Sequence, residues 1–236
     1  MKIKIFSHAV DLYNDTSITL EQAKLLETTG LLDAADELNM MLHYNEESFS
    51  WLKERWANKS NIKYHSFDIS FQPWREYTTT YYMQEYCHNS DEEFYILFIH
   101  HKGGFNRTHG NVTWRHYMQY WNIEKWRDCI AKLDEGYDMC GAGFLSNEPH
   151  ILQESINPYY AGNFYWARSS YIKRCQRLKQ PPENGFKTQF GHSHDIRYDV
   201  EIWHGSGNPN WFDLHPGPHN RWYSKINSYR LENDKI

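Results

Sequence analysis

The chain lacks most of the signals that assign a protein at sight. Its 236 residues hold four cysteines, Cys87, Cys129, Cys140 and Cys175, scattered and without a CxxC spacing. That argues against a disulfide framework and favours free thiols in a reducing compartment. The Asn-x-Thr sites at Asn106 and Asn111 then carry little weight as glycosylation acceptors. No apolar run approaches about eighteen residues, so no transmembrane helix is expected. The opening MKIKIFSHAVDLYND has a basic start, but its apolar stretch is too short for a signal peptide and reads as a first strand. No long basic run offsets the formal net charge of −5, which argues against a general nucleic-acid binder. Familiar site motifs are missing too. Without GxGxxG, GxxxxGK(S/T), GxSxG or HExxH, a Rossmann dehydrogenase, a P-loop enzyme, an α/β-hydrolase and a zincin all lose support.

Aromatic residues are plentiful, at 17% with 10 Trp and 18 Tyr. They fit either a core built from amphipathic rings or a cleft whose flat faces stack on sugars or bases. Composition does not separate the two.

Along the chain, apolar runs alternate with helical patterns. IKIF, ELNMML, NIKYHSF and FYILFI read as strands. TLEQAKLLETTGLL reads as a helix with Thr19 and Gln22 at capping-box spacing and Gly30 as a stop, and EESFSWLKERW as a short helix with Phe49, Leu52 and Trp56 on one face. PWREYTTTYYMQEYC is expected to be helical from Pro73 onward. TWRHYMQYWNIEKWRDCIAKL is the longest helical pattern, and its apolar stripes fit core packing. YDMCGAGF reads as a buried strand, GNFYWARSSYI as a strand entering a helix, and residues 179–197 as a polar loop. YDVEIWHG alternates like a strand, and residues 208–236 form a tail rich in Pro, Gly and Asn. No repeat or linker divides residues 1–236, so the expectation is one α/β domain with a mostly parallel sheet flanked by helices.

The stretch FYILFIHHKGG carries the main functional signal. A buried strand runs directly into His100, His101, Lys102, Gly103 and Gly104. Glycines there let the backbone approach a ligand closely, and the cationic side chains suit an anion or a group that needs a proton donor. In open α/β sheets, ligands bind outside the carboxyl ends of the strands, where this turn would lie. A solvated loop end is the plainer alternative. The histidines of HSHD (His192, His194, with Asp195) sit in a Gly-flanked polar loop, where such pairs are more often solvent-exposed than zinc ligands. Glu201, between Val200 and Ile202, is either a carboxylate needing a partner inside an apolar strand or an outward residue on an edge strand.

Taken in order, KIKIFSHA, EQAKLLETTGLLDAADEL, REYTTTYYMQEYC, ILFIHHKG, WRHYMQYWNIEKWRDCIAKLDEGYDMCG, PYYAGNFYWARSSYI and RYDVEIWHGSGNPN resemble the motifs of GT-A-fold glycosyltransferases, in particular a group found in bacteria and large DNA viruses. The resemblance spans residues 1 to about 215. It implies transfer of a sugar from a nucleotide donor to a glycan hydroxyl, with inversion. Most enzymes of this fold hold a metal with Asp-x-Asp, and here the matching place reads His100-His101-Lys102. That departure points away from a tightly bound metal, although His100, His101 and His215 leave weak recruitment of Mn2+ or Mg2+ open. Lys102 neutralises diphosphate charge as a point charge, with His8, Thr78, Thr79, His100, Gly103 and Arg115 as further donor-site candidates. The resemblance puts acceptor recognition at GNFYWARSS, with Gly162, Asn163, Phe164 and Trp166, and a catalytic carboxylate in DVEIW; Glu201 is expected as the general base, with the Trp203 ring nearby to stack on the acceptor sugar. Asp199, on the same face of the expected strand, is the competitor for that role, and Asp195 a more distant one. A carbohydrate-binding relative without chemistry is the alternative. A phosphoryl or nucleotidyl transferase is disfavoured, because no acidic metal pair is evident. The expected location is the cytoplasm, or the host's cytoplasm if the protein is viral.

Overall fold

A computed structural model describes residues 1–11, 15–43, 46–67, 76–104, 108–145, 158–180 and 196–216. In chain order the elements are β1 (Lys2–Val10), α1 (Ser17–Thr28), α2 (Leu31–Ala34), β2 (Glu37–His43), α3 (Ser50–Arg55), β3 (Ile62–Phe67), α4 (Tyr77–His88) and β4 (Phe94–His100). There follow α5 (His109–Gln119), α6 (Trp126–Asp134), β5 (Met139–Gly141), β6 (Phe144–Leu145), β7 (Tyr159–Tyr160), β8 (Tyr165–Arg168), α7 (Ser169–Arg174), α8 (Ile196–Trp203) and β9 (Trp211–Asp213).

Seven strands form one sheet in the order β3-β2-β1-β4-β8-β5-β9, and β6 pairs with β7 separately. β1 pairs in parallel with β2 and β4, β2 with β3, and β5 with β9. β8 alone runs against its neighbours β4 and β5. The α/β expectation with a mostly parallel sheet is borne out.

β2 and β4 are buried along their whole length, as strands covered on both faces must be. Alternate residues of β4 feed two cores. Tyr95, Leu97 and Ile99 face a core completed by Ala23 and Leu26 of α1, Leu52 of α3 and Met118 of α5. Phe94, Ile96 and Phe98 face a second core with Met83 of α4, Tyr171 and Ile172 of α7, and Val200 and Trp203 of α8.

Four details differ from the sequence reading. YDVEIW is helical: Val200 and Trp203, three apart, bury together in the second core, and an eight-residue segment is too short for alternation to tell the two periods apart. Part of the Pro/Gly/Asn-rich tail is a strand, because β9 has an edge of β5 to pair with. Thr19 and Gln22 do not form a capping box. α1 starts at Ser17, and both residues are buried inside it. The long helical pattern is broken by a π turn at Tyr120–Glu124, which frees the Asn122 carbonyl to accept from Trp166 Nε1 at 2.8 Å. The HSHD cluster lies outside the described residues. All four cysteines are buried free thiols. Among the described residues no helix is long and apolar enough to cross a membrane.

Candidate functional site

After β1 the chain winds outward through β2 and β3, then returns to place β4 on the other side of β1. The β1–β4 boundary is therefore the switch point, where open α/β sheets take ligands in a crevice outside the carboxyl ends of their strands. The register sets His8 directly beside His100 at that edge. Antiparallel β8 begins where its parallel neighbours end, so the preceding Gly162, Asn163 and Phe164 arrive at the same edge.

The floor of the crevice is a buried polar cluster. His8 Nδ1 lies 2.9 Å from Thr79 Oγ1 near the start of α4, and His43 Nε2 lies 3.5 Å from the same oxygen. Burial, reinforced by His43, pushes the His8 pKa well below the ordinary range, and burial pushes His43 down to about 4. Both rings are thus neutral near pH 7. His100 contacts Glu76 Oε1 through Nδ1 at 2.8 Å and the Gly162 carbonyl through Nε2 at 2.7 Å. Both of its nitrogens thus face oxygens, one of a carboxyl group and one of a backbone carbonyl. Burial works against the Glu76 carboxylate, but the charge and hydrogen bond of His100 outweigh it and hold the Glu76 pKa below the usual carboxylate range. The His100 carbonyl accepts from Gln22 Nε2 at 2.8 Å. His100 therefore ties α1, α4 and the β7–β8 turn to the end of β4.

Above this floor the cationic turn is tight. Lys102 N–H bonds back to the His100 carbonyl at 2.9 Å, and Gly103 holds φ at +80°. Arg115 Nη1 donates to the Lys102 carbonyl at 3.2 Å, while its Nε and Nη2 engage both oxygens of Glu21 at 3.1 and 3.0 Å. The planar fork expected for diphosphate is thus taken up by Glu21, and Arg115 anchors the turn from beneath. Lys102 Nζ stands 3.8 Å from the ring centre of Trp114 and 3.7 Å from Glu201 Oε1. The Lys102 and Glu201 side chains keep 16% and 17% of their surface open.

The β7–β8 turn forms the far wall. Gly162 has φ +87° and Asn163 φ +59°, a geometry that glycine and asparagine tolerate best. Asn163 is 1% exposed, and neither atom of its carboxamide has a hydrogen-bond partner among the described residues. A buried amide left without a partner is costly. Thr78 Oγ1, also unpaired, sits in the first turn of α4.

The expected donor-site residues His8, Thr79, His100, Lys102 and Gly103 therefore converge on one edge, with Glu201 beside them. Three expected acceptor contacts do not reach the crevice. Trp166 and Trp203 are fully buried, and their indole N–H groups are spent on the carbonyls of Asn122 and Gln176 at 2.8 and 2.7 Å. Phe164 is 1% exposed and packs tilted against His100, ring centres 5.2 Å apart. Asp199, the competitor for the base role, lies two residues before Glu201 in α8. His215, at the end of β9, stacks on Trp121 with ring centres 5.2 Å apart, and its Nδ1 lies 3.1 Å from the Tyr117 hydroxyl. Glu76, His43 and Trp114 were missed as site residues. His43 carried the same signal as His100, a polar residue directly ending an apolar run. Among the described residues no three His, Cys, Asp or Glu side chains converge as a metal would require.

Fold and site together define an α/β protein with a cationic turn beside buried histidines at its switch point. The chain matches the family described as "Domain of unknown function (DUF8361)" over residues 9–223, and it belongs to that family. No curated protein matches it. Two solved structures are similar: S. aureus TarS 1-349, at 14% identity over 78% of this chain and 52% of that one with a TM-score of 0.42, and HddC from Yersinia pseudotuberculosis, at 10% over 91% and 90% with a TM-score of 0.39. The chain spans about half the length of that TarS structure.

Proposed function

We propose that this protein is a glycosyltransferase that moves a sugar from a nucleotide-sugar donor to a hydroxyl of a glycan acceptor, with inversion. The observation that carries the reading is the meeting of Lys102 and Glu201 over a histidine-lined floor at the β1–β4 switch point. Inverting transfer needs a cation for the leaving diphosphate and a carboxylate for the attacking hydroxyl, and these two side chains supply both beside one edge of the sheet.

In this reading the donor diphosphate lies along the Lys102–Gly103 turn, its charge met by the Lys102 ammonium. Thr78 and the backbone at the start of α4 offer hydrogen bonds beside it. His8, Thr79 and His100 shape the floor without touching solvent. Glu201 removes the proton of the acceptor hydroxyl while its oxygen bonds to the anomeric carbon and the bond to the diphosphate oxygen breaks. Asn163 supplies a donor and an acceptor to a sugar hydroxyl. No tightly bound metal enters this account, and Mn2+ or Mg2+ would assist only weakly.

A carbohydrate-binding protein without chemistry is the second reading, supported by the aromatic content. It is weakened by the burial of Trp166 and Trp203. Calorimetric titration with a panel of nucleoside diphosphates separates the two. Binding of one of them, weakened about ten- to a hundred-fold by Lys102→Ala, is the expected result, since a charge-assisted hydrogen bond contributes roughly 1.5–3 kcal/mol. Absence of binding by every nucleoside diphosphate would overturn the transferase reading.

A further inference from the structure

Lys102 and Glu201 are drawn to opposite tasks, yet here each faces the other at 3.7 Å. An ammonium held against a carboxylate has part of its charge already met, and the carboxylate oxygen facing it is already occupied. Resting on the glycosyltransferase reading, we infer that the two residues mask each other in the empty protein, and that donor diphosphate, by taking Lys102, releases Glu201 for the acceptor. Donor binding then precedes productive acceptor binding.

The surroundings support a pair that opens and does not act as a fixed strut. The separation exceeds the 2.7–3.2 Å typical of an N–H···O hydrogen bond, so the contact is electrostatic and loose. Lys102 has a second seat for its charge in the face of Trp114 at 3.8 Å, so leaving Glu201 does not strand the ammonium. The other cation of this wall, Arg115, is committed to Glu21, and so does not replace Lys102 beside Glu201. The turn beneath is fixed by the Arg115–Lys102 carbonyl bond, so the exchange needs only side-chain rotation. Glu201 itself rides on α8, held by Val200 and Trp203 in the second core. The carboxylate thus stays in place when its partner moves.

The coupling is reciprocal: whatever Glu201 costs the diphosphate, the diphosphate returns to the base. The test is calorimetry with inorganic pyrophosphate on four proteins: wild type, Glu201→Gln, Lys102→Ala and the double variant. Glu201→Gln should bind pyrophosphate about 1.5- to 5-fold more tightly than wild type, the range of a partly exposed ion pair. Lys102→Ala should bind more weakly, and in its background Glu201→Gln should gain nothing further. Unchanged or weaker binding by Glu201→Gln overturns the masking. So does a gain that persists without Lys102, which would be a general field effect of the carboxylate. If no protein binds pyrophosphate or any nucleoside diphosphate, the transferase reading falls with it. If wild type binds and only the Glu201→Gln gain is missing, the masking alone falls.

Discussion

Gly162→Ala should destabilise the protein and loosen the site at once. The turn at Gly162 has φ +87°, where alanine costs roughly 1–2 kcal/mol relative to its ordinary backbone. The added methyl would also stand 2.3 Å from Met118 Sδ and 3.0 Å from Trp114 Cε2. Met118 is flexible but fully buried, so its sulfur must move by more than an ångström within a filled core to reach the 3.4 Å at which ordinary contact begins. Overpacking of this kind costs about 1–3 kcal/mol. Together the two effects come to roughly 2–5 kcal/mol, and a domain of this size loses about 2–4 °C of Tm per kcal/mol, so a fall of about 4–20 °C is expected.

The site should respond as well, because the displaced groups belong to it. Trp114 seats the Lys102 ammonium, and the Gly162 carbonyl takes the His100 Nε2 hydrogen bond. Calorimetric melting and diphosphate affinity should therefore change together. Met118→Ala introduced alongside should recover part of the loss by emptying the space, leaving the backbone strain. Gly110→Ala is the control: it lies in α5 with nothing within 4 Å of the new methyl, so it should be neutral or slightly stabilising. A Tm for Gly162→Ala within about 2 °C of wild type would refute the reasoning.

Gly205→Ala should be worse still. Its methyl would fall 1.8 Å from the Pro158 carbonyl oxygen, and backbone cannot swing aside as a methionine does. Loss of soluble folded protein, or a larger Tm drop than Gly162→Ala, is expected on expression and melting. Stability should also fall as pH is lowered from about 6.5 toward 4. His43 and His204, depressed by burial to about 4 and about 3, stay neutral in the folded chain while the unfolded chain takes up protons near 6.5. Each contributes a loss of up to about 1.4 kcal/mol per pH unit in that window, so a denaturation midpoint that stays flat from pH 7 to 5 would contradict it. Glu201→Gln should lower sugar-transfer turnover by ~10²–10⁴-fold without weakening donor binding, and near-normal turnover would remove Glu201 from the base role.

The sheet was legible because its strands announce themselves. β1, β2 and β4 are runs of apolar residues buried on both faces, and the helices between them carry apolar stripes that have only those faces to cover. What escaped the sequence was short or borrowed its structure from a partner. β9 exists because β5 offers an edge, and nothing in WFD alone distinguishes it from the loop around it. The helix at 196–203 was read as a strand because V-E-I alternates locally, while the contacts that decide its period lie on α4, α7 and β4.

The same division runs through the site. Lys102 and His100 could be found because a cationic group placed directly after a buried strand has few structural uses, and the parallel topology carries that position to the crevice. Their partners could not. That Arg115 is spent on Glu21, and that Trp166 and Trp203 turn inward, are matters of which groups reach which neighbours after folding. A tryptophan beside a candidate base reads the same in sequence whether it faces a sugar or a core. The Lys102–Glu201 contact is the sharpest case, because neither residue alone signals it. Each was legible by its charge and place, but the chemistry of the pair depends on their separation, and only the fold sets that distance.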